Sequence, residues 1–471
     1  MYKRGSQHQS THNKRPLYQT LLSAALLLGA AVFFLTLLSA PDPTEPDIPL
    51  IVGAAPPAGL IYTISGDTIT ITRYNGLGGY VEIPAEIDGI AVKIIGNYAF
   101  QNCVTLTGIT IPDSVTSIGS HTFYGCYGLI SITIPDTVTE IGEMAFLECS
   151  GLTSITIPDS VTSIGPSALS GCSGLTSIAI PNSMTSISSD TFGGCTNLAS
   201  ITIPDSVTSI GSGAFADCFS LIGITIPDSV TSIGSDAFSG CSSLTSIAIP
   251  ESVSNIGNSA FRGCSSLIGI TIPGSVADIG DWAFYECSGL TYVTIPDSVT
   301  SIGESAFYGC SSLVNFIIPD WAFSVNALFS GCTGLTGSLV IPEGATSIGG
   351  GVFEGCTGLT SITIPDSVTN INGAAFSGCT GLTSITIPDG VISIRDGVFS
   401  SCTSLAGITI PGSVTSIGQS AFSGCSGLTS ITIPDSVTSI GRSAFSSCSG
   451  LTSITIPDSV TSIGQSAFSG C

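Results

Sequence analysis

The stretch Leu428–Cys448 reads LTSITIPDSVTSIGRSAFSSC, and nearly everything after residue 100 is a copy of it. Cysteine recurs every 23 residues from Cys103 to Cys310, steps by 22 to Cys332 and by 24 to Cys356, then returns to 23 as far as Cys471. Prolines keep the same beat from Pro112 to Pro457 without a slip. A fixed period of about 20 to 50 residues marks a solenoid, in which one short supersecondary unit stacks on copies of itself.

Within the unit, Leu428, Ile431 and Ile433 have the spacing L-x-x-I-x-I, so a short strand points both isoleucines inward and Ser430 and Thr432 outward. Pro434 has no N–H for a ladder and ends the strand, and Asp435-Ser436 supplies turn chemistry. A second extended piece sends Val437 and Ile440 inward; Gly441 permits a bend, and Ala444-Phe445 with Cys448 fits one short helical or 3₁₀ turn. No such piece folds alone. Stacked at about 4.8 Å per rung they form continuous apolar columns, a β-solenoid of short parallel strands with brief helical or 3₁₀ turns.

The unit L-x-x-I-x-I-P…V-x-x-I-G-x-x-A-F-x-x-C, repeated over residues 58–471, resembles the BspA-like leucine-rich repeats of bacterial and protist surface proteins. The resemblance implies an extracellular, non-enzymatic module for adhesion or protein binding. It does not transfer a ligand.

Charged residues make up 9% of the chain and the net charge is −23. Residues 1–40 hold Lys3, Arg4, Lys14 and Arg15 and no acid, which leaves 5 basic against 32 acidic residues beyond, a balance of −27. That balance argues against nucleic acid as a partner. Residues 21–40, LLSAALLLGAAVFFLTLLSA, are uncharged, mostly apolar and long enough to span a bilayer. The basic flank places residues 1–20 in the cytoplasm as a basic tail and the repeats outside, on a single-pass protein of the cell membrane. The competing reading is a cleaved signal peptide and a secreted product. Leu38-Ser39-Ala40-Pro41 suits cleavage poorly and favours an uncleaved signal anchor, so a transmembrane helix is expected to precede the solenoid.

Residues 41–57 are rich in proline and read as a semi-extended stalk. Residues 58–102 hold stretched halves of the repeat behind a hairpin-like YTISGDTITITRY, an N-terminal cap. Residues 103–471 then give sixteen repeats, irregular at 310–355, with no C-terminal cap. The uncovered last rung is read as a fragment end, a frayed edge, or an edge covered by a partner, self-association included.

Every cysteine occupies the same place in the repeat, so the seventeen form one interior column, as small apolar fillers or as bridges between neighbouring rungs. No metal or other cofactor is expected. The histidines are His8, His12 and His121, and no nucleophile has a base, so an enzyme is the weakest reading. Eleven of sixteen slots after the proline hold Asp, read as Asx-type turn residues, with a divalent-ion ladder as the alternative. The Ser and Thr rows read as a wetted sheet face; the ice-binding lattice they resemble is broken by Gly223, Gly269 and Gly407.

The pattern fails at Val314–Gly337, VNFIIPDWAFSVNALFSGCTGLTG. Aligning Pro319, Ala322, Val325 and Phe329 with the interior slots leaves Trp321 and Phe323 where other copies put Ser and Thr. Ile317 replaces an outward Thr, and Tyr292 replaces an outward Ser. Tyr292, Ile317, Trp321 and Phe323 are therefore the candidate patch for a surface protein or glycan; a decayed repeat that refills its own core is the bland alternative. The sequence thus reads as a membrane-anchored surface protein for adhesion or for protein or glycan binding. A structural spacer that self-associates without a specific ligand is the alternative.

Overall fold

The computed structural model describes residues 59–471, which belong to one compact unit, Ile51–Cys471. The tail, membrane span and stalk expected at 1–57 lie outside the described residues. Among those described, no helix is long and apolar enough to cross a membrane.

In the repeat quoted above, Ser430–Thr432 forms a strand with Ile431 buried and its neighbours exposed, as alternation requires. The Val437 N–H donates to the Pro434 carbonyl at 3.0 Å and closes the turn, and Ser439–Ile440 forms the second strand. Both strands pair in parallel with their copies 23 residues away, Ile431 with Ile408 and Ile440 with Ile417. Equivalent side chains therefore stack. Phe215, Phe238, Phe261 and Phe284 follow one another with ring centroids 5.3–5.4 Å apart.

The third side departs from the expected helical or 3₁₀ turn. Ala444 and Cys448 donate their N–H groups three residues back, to Gly441 (3.3 Å) and Phe445 (3.2 Å). Ser446 does the same, to Ser443 (3.0 Å), while the alternate N–H groups reach the next rung: Ser443 to Gln465 (3.0 Å), Phe445 to Ala467 (2.7 Å) and Ser447 to Ser469 (2.7 Å). A 3₁₀ helix directs its N–H groups into its own turns and would leave this side of the coil unjoined. Alternation divides them between rungs, at the cost of left-handed residues: φ is +53° at Ser443 and +62° at Ser447.

At the N-terminus, β1 (Leu60–Ser65) and β2 (Thr68–Tyr74) form an antiparallel hairpin. β2 then pairs in parallel with Ile90–Ile95, while Gly79–Glu82 pairs with Leu106–Thr110. Tyr74 lies on the first phenylalanine of the stack, 5.2 Å from the Phe100 centroid.

The irregular repeat loses one residue after Pro319 and regains one before Pro342. The loss removes its second strand, which a 3₁₀ helix, Asp320–Ser324, replaces. That helix turns Phe323 inward. Phe323 is 3% exposed, lies 6.2 and 6.3 Å from Phe316 and Phe353, and is a core residue, contrary to the outward position read from the alignment. Its carbonyl accepts the Gly349 N–H at 2.8 Å, a bond that an isoleucine carbonyl accepts in a regular rung (Gly303 N–H to Ile279, 2.8 Å). The regained residue is taken up by a register shift at Gly337/Ser338.

In most copies a glycine follows the second strand, though Ser188, Asn372 and Arg395 stand there in three, and close approach explains the preference. A Cβ at Gly257 would lie 2.5 Å from the backbone of Gly234 and Ser235, whereas one at Gly223 would meet nothing within 4 Å. Gly257→Ala is expected to destabilise the coil by about 1–3 kcal/mol and Gly223→Ala to leave it within about 0.5 kcal/mol. Denaturant midpoints of the two variants measure the difference, and equal midpoints would refute the close-approach account.

Candidate binding surface

On the outer face of the first strand, three positions point to solvent, five, four and two residues before the proline. In Leu428–Cys448 they are Thr429, Ser430 and Thr432. Four consecutive rungs replace them with apolar groups: Ile268, Tyr292, Val314 with Ile317, and Val340. Each is at least half exposed. Tyr292 pairs with Asn315 and Thr294 with Ile317, which places these side chains on adjoining rungs. The Tyr292 ring lies across Gly269, where a Cβ would come within 2.5 Å of it. The sheet that contains Asn315–Ile317 ends there, and a new one starts at Gly337–Val340, so Ile317 and Val340 flank a break in the ladder.

Of the four residues predicted from sequence, Tyr292 and Ile317 belong to this face. Trp321 is 38% exposed on the turn beyond Pro319, and Phe323 is in the core. Ile268, Val314 and Val340 were not predicted. The first two occupy a slot where isolated exposed isoleucines, Ile130 and Ile222, occur elsewhere, and only adjacency in space distinguishes them. Val340 stands 23 residues after Ile317, in the same slot before the proline, so the unbroken proline spacing could have found it. Trp282 is also exposed but belongs to the third side, where φ is +56°. On that side Arg262 lies over Tyr285 at 5.5 Å, and Tyr285 stacks on Tyr308 at 4.7 Å.

The carboxylates after the prolines are exposed. Asp159 accepts the Asn182 N–H of the next rung at 2.9 Å, but the Asx role is otherwise carried by a different slot, two residues after the second strand's isoleucine. There Asn97, Asn258, Asp281 and Asp396 accept N–H groups from the next rung at 2.7–3.0 Å. The reason is local: the proline turn already bonds its valine N–H to the proline carbonyl. The adjacent serine ties rungs instead, as when Ser436 Oγ donates to the Val414 carbonyl at 2.6 Å. Among the described residues, no group of three His, Cys, Asp or Glu side chains is placed to hold a metal ion.

Sixteen thiols, Cys126 to Cys471, each donate to a backbone carbonyl of the preceding rung at 3.0–3.3 Å, a phenylalanine carbonyl in all but one case. All seventeen cysteines are free; Cys103 is half-buried and Cys471 exposed. Burial pushes the Cys149 and Cys287 thiols up to about 12 and Cys448 to about 11. Such thiols are poor nucleophiles, because the thiolate is the reactive form. His121 stacks on Tyr98 at 4.8 Å, and its Nδ1 has no hydrogen-bond partner.

A family model described as BspA type leucine rich repeat region (6 copies) matches residues 93–222, 208–336 and 324–448. A leucine-rich repeat protein from Bacteroides ovatus is 30% identical, with 88% of this chain and 91% of that one covered and a TM-score of 0.56. A leucine rich cell surface protein from Faecalibacterium prausnitzii is 36% identical over 71% of this chain and 94% of its own, with a TM-score of 0.52. No curated protein matches the sequence.

In the native protein a thiol reagent is expected to modify Cys103 and Cys471, and all seventeen cysteines after denaturation. A smaller denatured count would mean bridged rungs. The buried thiols are held protonated when folded but ionise at about 8.5 in the unfolded chain. Their contribution to stability is therefore complete below that value and is lost as pH rises from about 9 towards about 12, a fall that denaturant midpoints taken across that range would register.

Proposed function

Because this chain belongs to the BspA type leucine-rich repeat family, we propose that it is a membrane-anchored cell-surface protein that binds a partner protein or glycan on its outer sheet face. The observation that carries the reading is the apolar interruption of an otherwise hydroxyl-lined face. Over four rungs Ile268, Tyr292, Val314, Ile317 and Val340 expose branched or aromatic side chains where regular copies expose Ser and Thr. Apolar clusters rimmed by polar groups mark interaction sites on soluble surfaces, and a few central anchors carry most of the binding energy.

The anchor rests on the apolar run at 21–40 with its basic N-terminal flank, and the stalk on the prolines at 41–57. The relative from Faecalibacterium prausnitzii, described as a cell surface protein, supports the same location. An interaction role without chemistry fits the described residues, whose one histidine has no hydrogen-bond partner at Nδ1 and whose thiols, Cys103 and Cys471 apart, are buried.

Ile317→Ser with Val340→Ser is expected to lower retention of surface proteins or glycans on immobilised full-length chain roughly tenfold, the effect of losing about 1.4 kcal/mol. The melting temperature should stay within a few degrees, since both side chains are exposed in the free protein. Undiminished retention would remove this face as the site. For the anchor, the chain should stay in the membrane pellet after alkaline extraction with its N-terminus upstream of residue 21; release into the supernatant would disprove it.

A further inference from the structure

The rungs that carry the apolar patch are also acidic without compensation. Between Arg262 and Arg395 the chain has ten carboxylates and no lysine or arginine. Three of those acids follow the prolines of the patch itself: Asp297, Asp320 and Glu343, one per rung and all exposed. Asp320 is three residues beyond Ile317, and its carboxylate leans across Gly344 of the next rung, where a side chain would collide with it. Exposed Trp321 adjoins it. Carboxylates on rungs about 4.8 Å apart stand well within the screening length of about 8 Å at physiological salt. Each therefore raises the attraction of the others for a cation, and any neutralising base must come from outside these rungs.

Resting on the docking face proposed above, we infer that its occupant is a basic, partly aliphatic polypeptide segment. Its aliphatic side chains would seat on Val314, Ile317 and Val340, and its arginine or lysine side chains on Asp320 and Glu343. A guanidinium can bond a carboxylate through two N–H groups and stack on an indole, so Asp320 beside Trp321 suits arginine best. The protein itself uses that stacking where Arg262 covers Tyr285 at 5.5 Å. Branched aliphatic groups suit packing against protein side chains better than against the flat face of a sugar ring. An acidic segment would be repelled.

The test uses the full-length chain and three labelled ten-residue peptides of alternating Leu-Arg, Leu-Glu and Ser-Arg. Leu-Arg is expected to bind at least about tenfold more tightly than either other peptide. The double variant Asp320→Asn with Glu343→Gln should lose about tenfold of that binding, and Asp113→Asn with Asp136→Asn, on distant rungs, should lose none. Failure of Leu-Arg to bind, equal binding of Leu-Glu, or an equal loss in the distant variant would overturn the inference. If Leu-Glu binds as well and Ile317→Ser with Val340→Ser abolishes the binding of both, the docking face stands and the charge assignment falls.

Discussion

The coil depends on how its third side divides backbone N–H groups between one rung and the next. Each phenylalanine N–H reaches the carbonyl of the following repeat, as Phe215 does to Ala237 and Phe238 to Ala260, both at 2.8 Å. Without these bonds two short strands per turn would be the only ladders between neighbours. The alternation requires two left-handed residues in each rung, a conformation that costs an ordinary residue about 1–2 kcal/mol and glycine little. Eleven of the seventeen residues immediately before a cysteine are glycine, and the others, among them Asn102, Glu148 and Asp217, also have positive φ.

The cysteine column belongs to the same construction. A rung bends sharply at the phenylalanine, whose carbonyl already accepts one N–H from its own turn, as Phe422 does from Cys425 at 3.1 Å. The thiol of the next rung supplies a second donor, Cys448 Sγ to Phe422 at 3.1 Å, from a side chain small enough to fit the closed corner. Cysteine is apolar enough for the interior and still a weak donor. Serine would pay more for its desolvated hydroxyl, and alanine would leave the second lone pair without a partner.

The irregular repeat shows what the stack tolerates. A missing residue in a second strand is absorbed by a 3₁₀ helix and a phenylalanine turned into the hole, and register resumes one rung later through a shift at Gly337. The outer ladder is interrupted there, between Asn315–Ile317 and Gly337–Val340, as it also is between regular rungs such as Ser154–Thr156 and Ser177–Ala179. Beside the break after Ile317 the exposed face changes from hydroxyls to aliphatic groups. The surface change is wider than the irregular repeat, since Ile268 and Tyr292 are exposed on regular rungs before it.

The period, the inward and outward assignment of Ile, Val, Ser and Thr, and the single file of cysteines were all determined by the sequence, because an exact repeat forces equivalent residues into equivalent surroundings. Where the repeat holds, knowing one copy is knowing them all. The tertiary structure decided what depends on contacts between copies. It moved the Asx bonds from the slot after proline to the slot two residues after the second strand's isoleucine, because the turn N–H was already taken, and it replaced the helical turn with bonds shared between rungs. It buried Phe323, which a linear alignment had set outward, because filling a hole in the stack outweighs keeping the alignment. It also joined Ile268, Tyr292, Val314, Ile317 and Val340 into one face, since residues 23 apart in the chain become neighbours only when the rungs are stacked.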